Sequence, residues 1–138
     1  MQQKLEMNLK ASLQSLCNIV PKEKIFVLQL SDAYRPPAPF QPDGPNGQAN
    51  ETGPEGGEKI RARAKWSHNY RPYFYNGGFF TQQCVDMCKA VLGTGFRGWF
   101  SVEVFDGVGR ERGVEMGEYT QGAMESCRRM IEECCEPS

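Results

Sequence analysis

The sequence predicts an α/β fold in which short parallel strands alternate with helices. The runs at residues 24–33 and 97–105 are apolar almost throughout, and apolar patterns at helical spacing flank each of them. Strands that are apolar on both sides are typical of parallel sheets, whose faces are covered by helices. The 138 residues are enough for one domain with its own core.

The elements are predicted in the order helix, strand, long loop, weaker strand, helix, strand, helix. The first helix covers about residues 3–18, because leucines recur there at helical spacing, and it ends before Pro21. The strand at 24–33 follows. Residues 35–58 contain six prolines and five glycines, which predicts a long surface insertion with little to bury.

A weaker strand is predicted around residues 60–70, and a helix over 81–95. Thr81 is the predicted N-cap of this helix, and Gly93 or Gly95 ends it. The side chains expected to face inward from this helix are Val85, Cys88, Val91 and Leu92.

The strand at 97–105 leads into a last helix over 118–136. Its predicted inner face consists of Met124, Cys127, Met130, Ile131 and Cys134. All six cysteines lie in predicted helices, where a free cysteine usually acts as a small buried apolar residue. We therefore expect reduced thiols, and we rank a cysteine-based metal or redox module far behind the other functions.

Charge and hydropathy exclude several classes of partner. The net charge is −1 and no stripe of lysine and arginine stands out, so no nucleic-acid partner is expected. No apolar run has the length of a membrane span, so no membrane partner is expected. The first ten residues lack the apolar core of a signal peptide, which predicts a soluble, cytoplasmic protein.

Two polar residues interrupt the apolar strands. Glu103 lies between valines and Gln29 lies between leucines, each in the later part of its strand. Ligands of parallel α/β folds gather at the carboxyl ends of the strands, and carboxylate and carboxamide oxygens suit a hard divalent cation. The alternatives for Glu103 are an ion pair with Arg71 or Arg97 and a solvent-facing position. For Gln29 the alternative is a hydrogen bond to neighbouring backbone.

The aromatic segment at 66–80 suggests a site for an anionic or polyhydroxylated small molecule. Arg71 could bind a carboxylate through its planar fork of donors. His68 is the only imidazole, and we expect it to be structural rather than catalytic. Asp32 and Asp106, just past the strands, are expected to cap loops rather than contact a ligand.

The segments "VPKEKIFVLQLSDA" (20–33) and "AVLGTGFRGWFSVEVFDG" (90–107) resemble the closing part of the xylose-isomerase-like TIM barrels, the superfamily of sugar-phosphate isomerases and epimerases. Within it the chain is most similar to fungal 3-dehydroshikimate dehydratases, which carry an S-x-N-x-R segment like Ser67, Asn69 and Arg71 here. The similarity covers nearly the whole chain outside the insertion. It implies a partial (β/α)8 barrel of about three C-terminal βα units, with residues 1–138 as the C-terminal part of one barrel domain.

The resemblance also implies site roles. Gln29 and Glu103 match two of the family's four ligands of a divalent metal (Mg, Mn or Co), and Arg71 matches the residue that binds the substrate carboxylate, with Asn69 and Ser67 beside it. The implied reaction is dehydration of 3-dehydroshikimate to protocatechuate. A full barrel needs about 250 residues. The earlier strands, with two further ligands and the general base, are missing, so this chain is expected to be inactive alone.

Two alternatives remain open. One is a sugar or sugar-phosphate isomerase or epimerase of the same superfamily, acting on a related carboxylated polyol or sugar. The other is a non-catalytic barrel remnant whose exposed sheet edge pairs with a second copy or with a missing N-terminal half.

Overall fold

A computed structural model describes residues 2–35 and 62–135. Its elements, in chain order, are α1 (Gln2–Ile19), a 3₁₀ turn (Lys22–Lys24), β1 (Val27–Leu30), α2 (Ala62–Asn69), α3 (Thr81–Gly93), β2 (Trp99–Val102), α4 (Gly107–Glu111) and α5 (Met116–Cys135). None of the helices in the described ranges combines the length and the apolar character that crossing a membrane requires. The predicted insertion lies outside these ranges, except for Arg35.

The two strands form one parallel pair, which confirms the α/β class. Val27 lies opposite Trp99 and Leu30 lies opposite Val102. Helices α2 and α3 lie between the strands in the sequence, as a parallel connection requires. Each strand has four residues and is shorter than the apolar run from which it was predicted. The residues just past both strands therefore belong to loops.

The strand predicted around residues 60–70 is wrong. Residues 62–69 form the helix α2, and residues 60 and 61 lie outside the described ranges. The segment is rich in alanine, lysine and arginine, which have high helix propensity, and this outweighs the weak alternation that suggested a strand. After the helix, Arg71 makes only an isolated antiparallel bridge to Phe105. The described chain thus has two strands where three were expected.

The helix α3 lies within the predicted range, but its N-cap differs. Phe80 occupies the cap position and makes no side-chain cap bond, whereas Thr81 is the first helical residue. The carboxylate of Asp32 replaces a local cap, because it accepts from the Phe80 N–H at 2.8 Å and from the Thr81 hydroxyl. The helix ends at Gly93, and Gly95 turns the chain at a φ of 89°, a conformation that favours glycine.

One face of the sheet packs on the core. The core cluster consists of Phe74, Cys84, Val85, Cys88 and Met130. Leu28, Leu30 and Val102 pack against it from the strands, and α3 contacts both β1 and α5. We call this side the covered face.

The predicted inner face of α5 is correct only in part. Met130 is buried and Cys134 packs against the core, but Met124 and Ile131 are 56% and 60% exposed. The helix packs on a two-stranded sheet and on α3, which is too narrow a surface to bury the whole apolar stripe. The short helix α4 was not predicted, because its five residues carry no periodic signal.

The opposite side of the sheet, the open face, carries Val27, Gln29, Trp99 and Ser101, because side chains alternate along a strand. Val27 is 52% and Trp99 80% exposed. The described helices therefore leave this face uncovered.

Candidate functional site

The candidate site lies where three chain segments meet at the carboxyl ends of the strands. The N–H of Glu103 donates to the Leu30 carbonyl at 3.1 Å, which extends the pairing one residue past β2. The backbone of Arg71 exchanges two hydrogen bonds with Phe105, at 3.0 and 2.9 Å. These bonds fix the backbone on both sides of Glu103 and bring Arg71 beside it.

Arg71 is the centre of a polar cluster, with Ser31, Ser67 and Glu103 as its partners. Its Nε donates to the Ser31 hydroxyl at 2.9 Å and its Nη1 to the Ser67 hydroxyl at 3.2 Å. Its Nη2 donates to the Glu103 carboxylate and forms an ion pair with it. The Arg71 side chain is 17% exposed and that of Glu103 is 41% exposed. The ion pair that the sequence left open for Glu103 is thus formed with Arg71.

Aromatic rings flank this cluster. The guanidinium carbon of Arg71 lies 5.3 Å from the centroid of the Phe105 ring, a distance at which cation–π attraction acts. The exposed His68 ring lies 5.6 Å from the same ring. His68 therefore contacts Phe105 from an exposed position.

Gln29 lies on β1 and Asn69 is the last residue of α2. Gln29 pairs with Ser101 across the sheet, and Glu103 follows two residues later, so the three side chains share the open face. Gln29 is exposed and makes no side-chain hydrogen bond within the described ranges. Asn69 lies against Gly107, where a Cβ on the glycine would collide with the Asn69 amide.

Asp32 and Asp106 cap loops, as predicted. Asp32 is completely buried and accepts from three donors, among them the Ala33 N–H at 2.7 Å. Its carboxylate lies so close to Gly78 that no Cβ fits there. Because its oxygens are saturated by donors of the chain, Asp32 fixes the start of α3 rather than a ligand.

Asp106 starts α4 and gathers two tyrosines that the sequence did not single out. Its carboxylate accepts from the Gly109 N–H at 2.7 Å, from the Tyr119 hydroxyl at 3.0 Å and from the Tyr34 hydroxyl at 3.2 Å. Burial, and then the charge of Asp106, raise the pKa of Tyr34 to about 12, and the same causes raise the pKa of Tyr119. Tyrosines distant in sequence give no local signal that would have revealed this contact.

A metal site is incomplete in the part of the chain that is described. No group of three or more histidine, cysteine, aspartate or glutamate side chains is close enough to hold an ion there. Gln29 and Glu103 offer two oxygens of the right kind, while Mg²⁺ takes about six ligands, several of them water. The donors therefore fit a hard cation in kind but not in number.

The chain matches no family model, no curated protein and no solved structure at a significant level.

Proposed function

We propose that this chain supplies part of the site of a divalent-metal-dependent lyase similar to 3-dehydroshikimate dehydratase. Gln29 and Glu103 would hold the metal, and Arg71, with Ser67 and Asn69, would bind the carboxylate end of a cyclic polyol substrate. The observation that carries the proposal is that Gln29, Ser101 and Glu103 share the open face at the carboxyl end of a parallel pair. Ligands of parallel α/β folds bind at that end.

The one-sided arrangement of helices also supports a barrel. In a (β/α)8 barrel the helices form an outer ring, and the opposite faces of the strands line the interior. Here the core cluster lies on the covered face, while Trp99 on the open face is 80% exposed. Further strands closing over the open face would bury Trp99 and would bring additional ligands to Gln29 and Glu103.

Arg71 would change partners when ligand binds. Its three nitrogens already donate to Ser31, Ser67 and Glu103. A substrate carboxylate would take the place of one of these acceptors, and the Glu103 carboxylate released from Arg71 would be free to bind a cation. When bound, the metal would stabilise negative charge developing on substrate oxygen.

Paramagnetic broadening by Mn²⁺ tests the proposed ligands without requiring turnover. Mn²⁺ is added to the ¹⁵N-labelled chain, and the loss of amide signal is mapped along the sequence by NMR. We expect broadening centred on Gln29 and Glu103, abolished by Glu103→Gln. Arg71→Ala removes the competing cation and should strengthen the broadening. Glu115→Gln, at an exposed position, is the matched control and should leave the map unchanged.

Two results would overturn the metal assignment. One is broadening confined to the acidic residues of α5, and the other is a map that Glu103→Gln does not change. The reaction itself is tested by adding 3-dehydroshikimate and Mn²⁺ and following protocatechuate by its ultraviolet absorbance. Turnover is expected only when the protein that supplies the remaining ligands is present.

A second candidate function is association without catalysis, as a barrel remnant that pairs with other chains. Exposed aromatic residues at the start of both strands favour it, because Phe26 is 83% and Trp99 80% exposed. Analytical ultracentrifugation at rising concentration, with Trp99→Ser for comparison, tests it. A dimer that Trp99→Ser dissociates supports association, and a monomer at all concentrations excludes pairing with a second copy.

A further inference from the structure

We propose that Cys88 and Cys134 form a reversible disulfide joining α3 to α5, with Cys134 as the thiol that hydrogen peroxide oxidises first. The pair lies on the covered face, away from the Arg71 cluster, so this inference does not depend on the proposed lyase site. The two thiols pack at one core cluster, share a cavity and differ in exposure.

The two thiols are neighbours although 46 positions separate them in the sequence. Cys88 belongs to the core cluster at 2% exposure, and Cys134 packs against that cluster from α5. Each thiol is close enough to influence the pKa of the other. They also line one cavity of about 220 Å³, together with Phe100 and Met130. A small oxidant therefore has space to reach the pair.

The pair is asymmetric. Cys134 is half-buried, whereas Cys88 is buried. Burial raises the pKa of both thiols, that of Cys88 to about 12, and for Cys134 the lowering charge of Lys89 is opposed by the charges of Cys135 and Glu133. Because the thiolate is the nucleophile, the partly exposed Cys134 reacts first and Cys88 resolves the product.

The chemistry needs only hydrogen peroxide as oxidant. The Cys134 thiolate attacks one peroxide oxygen, the O–O bond breaks, and the other oxygen leaves as hydroxide and is protonated to water. This makes a sulfenic acid at Cys134. The sulfur of Cys88 then attacks the sulfur of Cys134, the S–O bond breaks, and a second water leaves with the Cys88 proton. Two thiols lose two electrons, and one peroxide is reduced to two waters.

Two other cysteines donate to backbone carbonyls, whereas Cys127 and Cys135 line cavities together with Cys88. The Cys84 thiol donates to the Ser31 carbonyl at 3.5 Å, and the Cys17 thiol donates to the Ala90 carbonyl at 3.0 Å. Cys135 is exposed and next to Cys134 in the same helix, where adjacent side chains point in different directions. The alternative pairs are therefore Cys84 with Cys88, Cys88 with Cys127 or Cys135, and Cys134 with Cys135.

The test is oxidation of the folded, fully reduced chain by a small excess of peroxide. Remaining thiols are then blocked under denaturing conditions and the intact mass is measured. We expect the chain to lose two hydrogen atoms in mass and two of its six reactive thiols, and dithiothreitol to restore both.

Trypsin leaves Cys84 with Cys88, and Cys134 with Cys135, because no lysine or arginine lies between the members of either pair. Variants therefore identify the bond. Cys84→Ser and Cys135→Ser are the matched controls and should still form it, whereas Cys134→Ser should not. In Cys88→Ser, dimedone should trap the sulfenic acid at Cys134.

The cross-links formed in the wild-type chain and in the two control variants test the proposal even if Cys88→Ser does not fold. A cross-link between the peptide of Cys88 and that of Cys134, kept in both controls, supports the proposal. The proposal would be overturned by a disulfide within either peptide, by a link from Cys88 to the separate peptide of Cys127, or by a link that requires Cys84 or Cys135. Peroxide that oxidises other cysteines while these two stay reduced would also overturn it.

Discussion

The two faces of the β1–β2 sheet carry different kinds of residue. On the covered face, Leu28 and Leu30 pack on the core cluster. On the open face, Gln29 and Trp99 are exposed, and the Arg71–Glu103 ion pair lies at its carboxyl end. The alternation continues past β1, since Ser31 binds Arg71 while the next residue, Asp32, caps α3.

This difference separates the residues that hold the described chain together from those available for function. Apolar surface removed from water contributes about 25 cal/mol per Å², so the covered face dominates the stability. The open face adds little and carries the polar groups of the candidate site. Because the open face exposes apolar side chains at the start of both strands, we also expect another chain or another segment to cover it in the functional protein.

The largest effect is expected from Phe74, which is 3% exposed in the core cluster. Phe74→Ala should lower the free energy of unfolding by about 3–5 kcal/mol, through lost burial and a residual cavity. Trp99→Ala, the matched change on the open face, should alter it by no more than about 0.5 kcal/mol. Urea denaturation followed by circular dichroism measures both.

Similar losses of stability in the two variants would contradict the proposed difference between the two faces. A costly Trp99→Ala would mean that the open face is covered in solution, and its cost should then depend on protein concentration. A cost that is independent of concentration would instead place the covering segment in the same chain.

Asp32 joins the covered face to α3, and its removal should have the next largest effect. Asp32→Ala leaves the Phe80 N–H and the Thr81 hydroxyl without their acceptor, at a cost of about 2 kcal/mol. Asp86→Ala on the same helix is the control and should cost less than about 0.5 kcal/mol, since Asp86 accepts only from the exposed Gln82. Equal costs would show that Asp32 does not cap α3.

On the open face, a double-mutant cycle should measure a smaller coupling between Arg71 and Glu103. We expect about 1 kcal/mol from unfolding of Arg71→Ala, Glu103→Gln and the double variant, because solvent screens a carboxylate that is 41% exposed. The cycle of Arg71 with Glu115 should give no coupling. A coupling near zero for Glu103 as well would mean that the carboxylate is already free to bind a cation.

The sequence predicted the parallel strands and the three long helices, because apolar spacing is a local signal. The prediction of a strand was wrong at residues 62–69, because the high helix propensity of this segment outweighs its weak apolar alternation. The sequence also could not choose between Arg71 and Arg97 as the partner of Glu103. That choice depends on the bridge between Arg71 and Phe105, a contact between distant segments that no local pattern encodes. The substrate and metal roles of the open face stay predictions.

The smallest effect is a loss of stability in mild alkali, to which the two buried thiols of the core cluster contribute. Burial raises the pKa of Cys84 and of Cys88 from 9.0 to about 12. The folded protein therefore keeps both protons while the unfolded chain releases them. This stabilisation is complete below about pH 8 and is lost as the pH rises from 9 towards 12. At pH 9 the loss is about 0.4 kcal/mol for each thiol. Urea midpoints from pH 7 to 9.5 measure it. Cys84→Ala should make the slope shallower, whereas a slope unchanged in Cys84→Ala would show that this thiol is not buried.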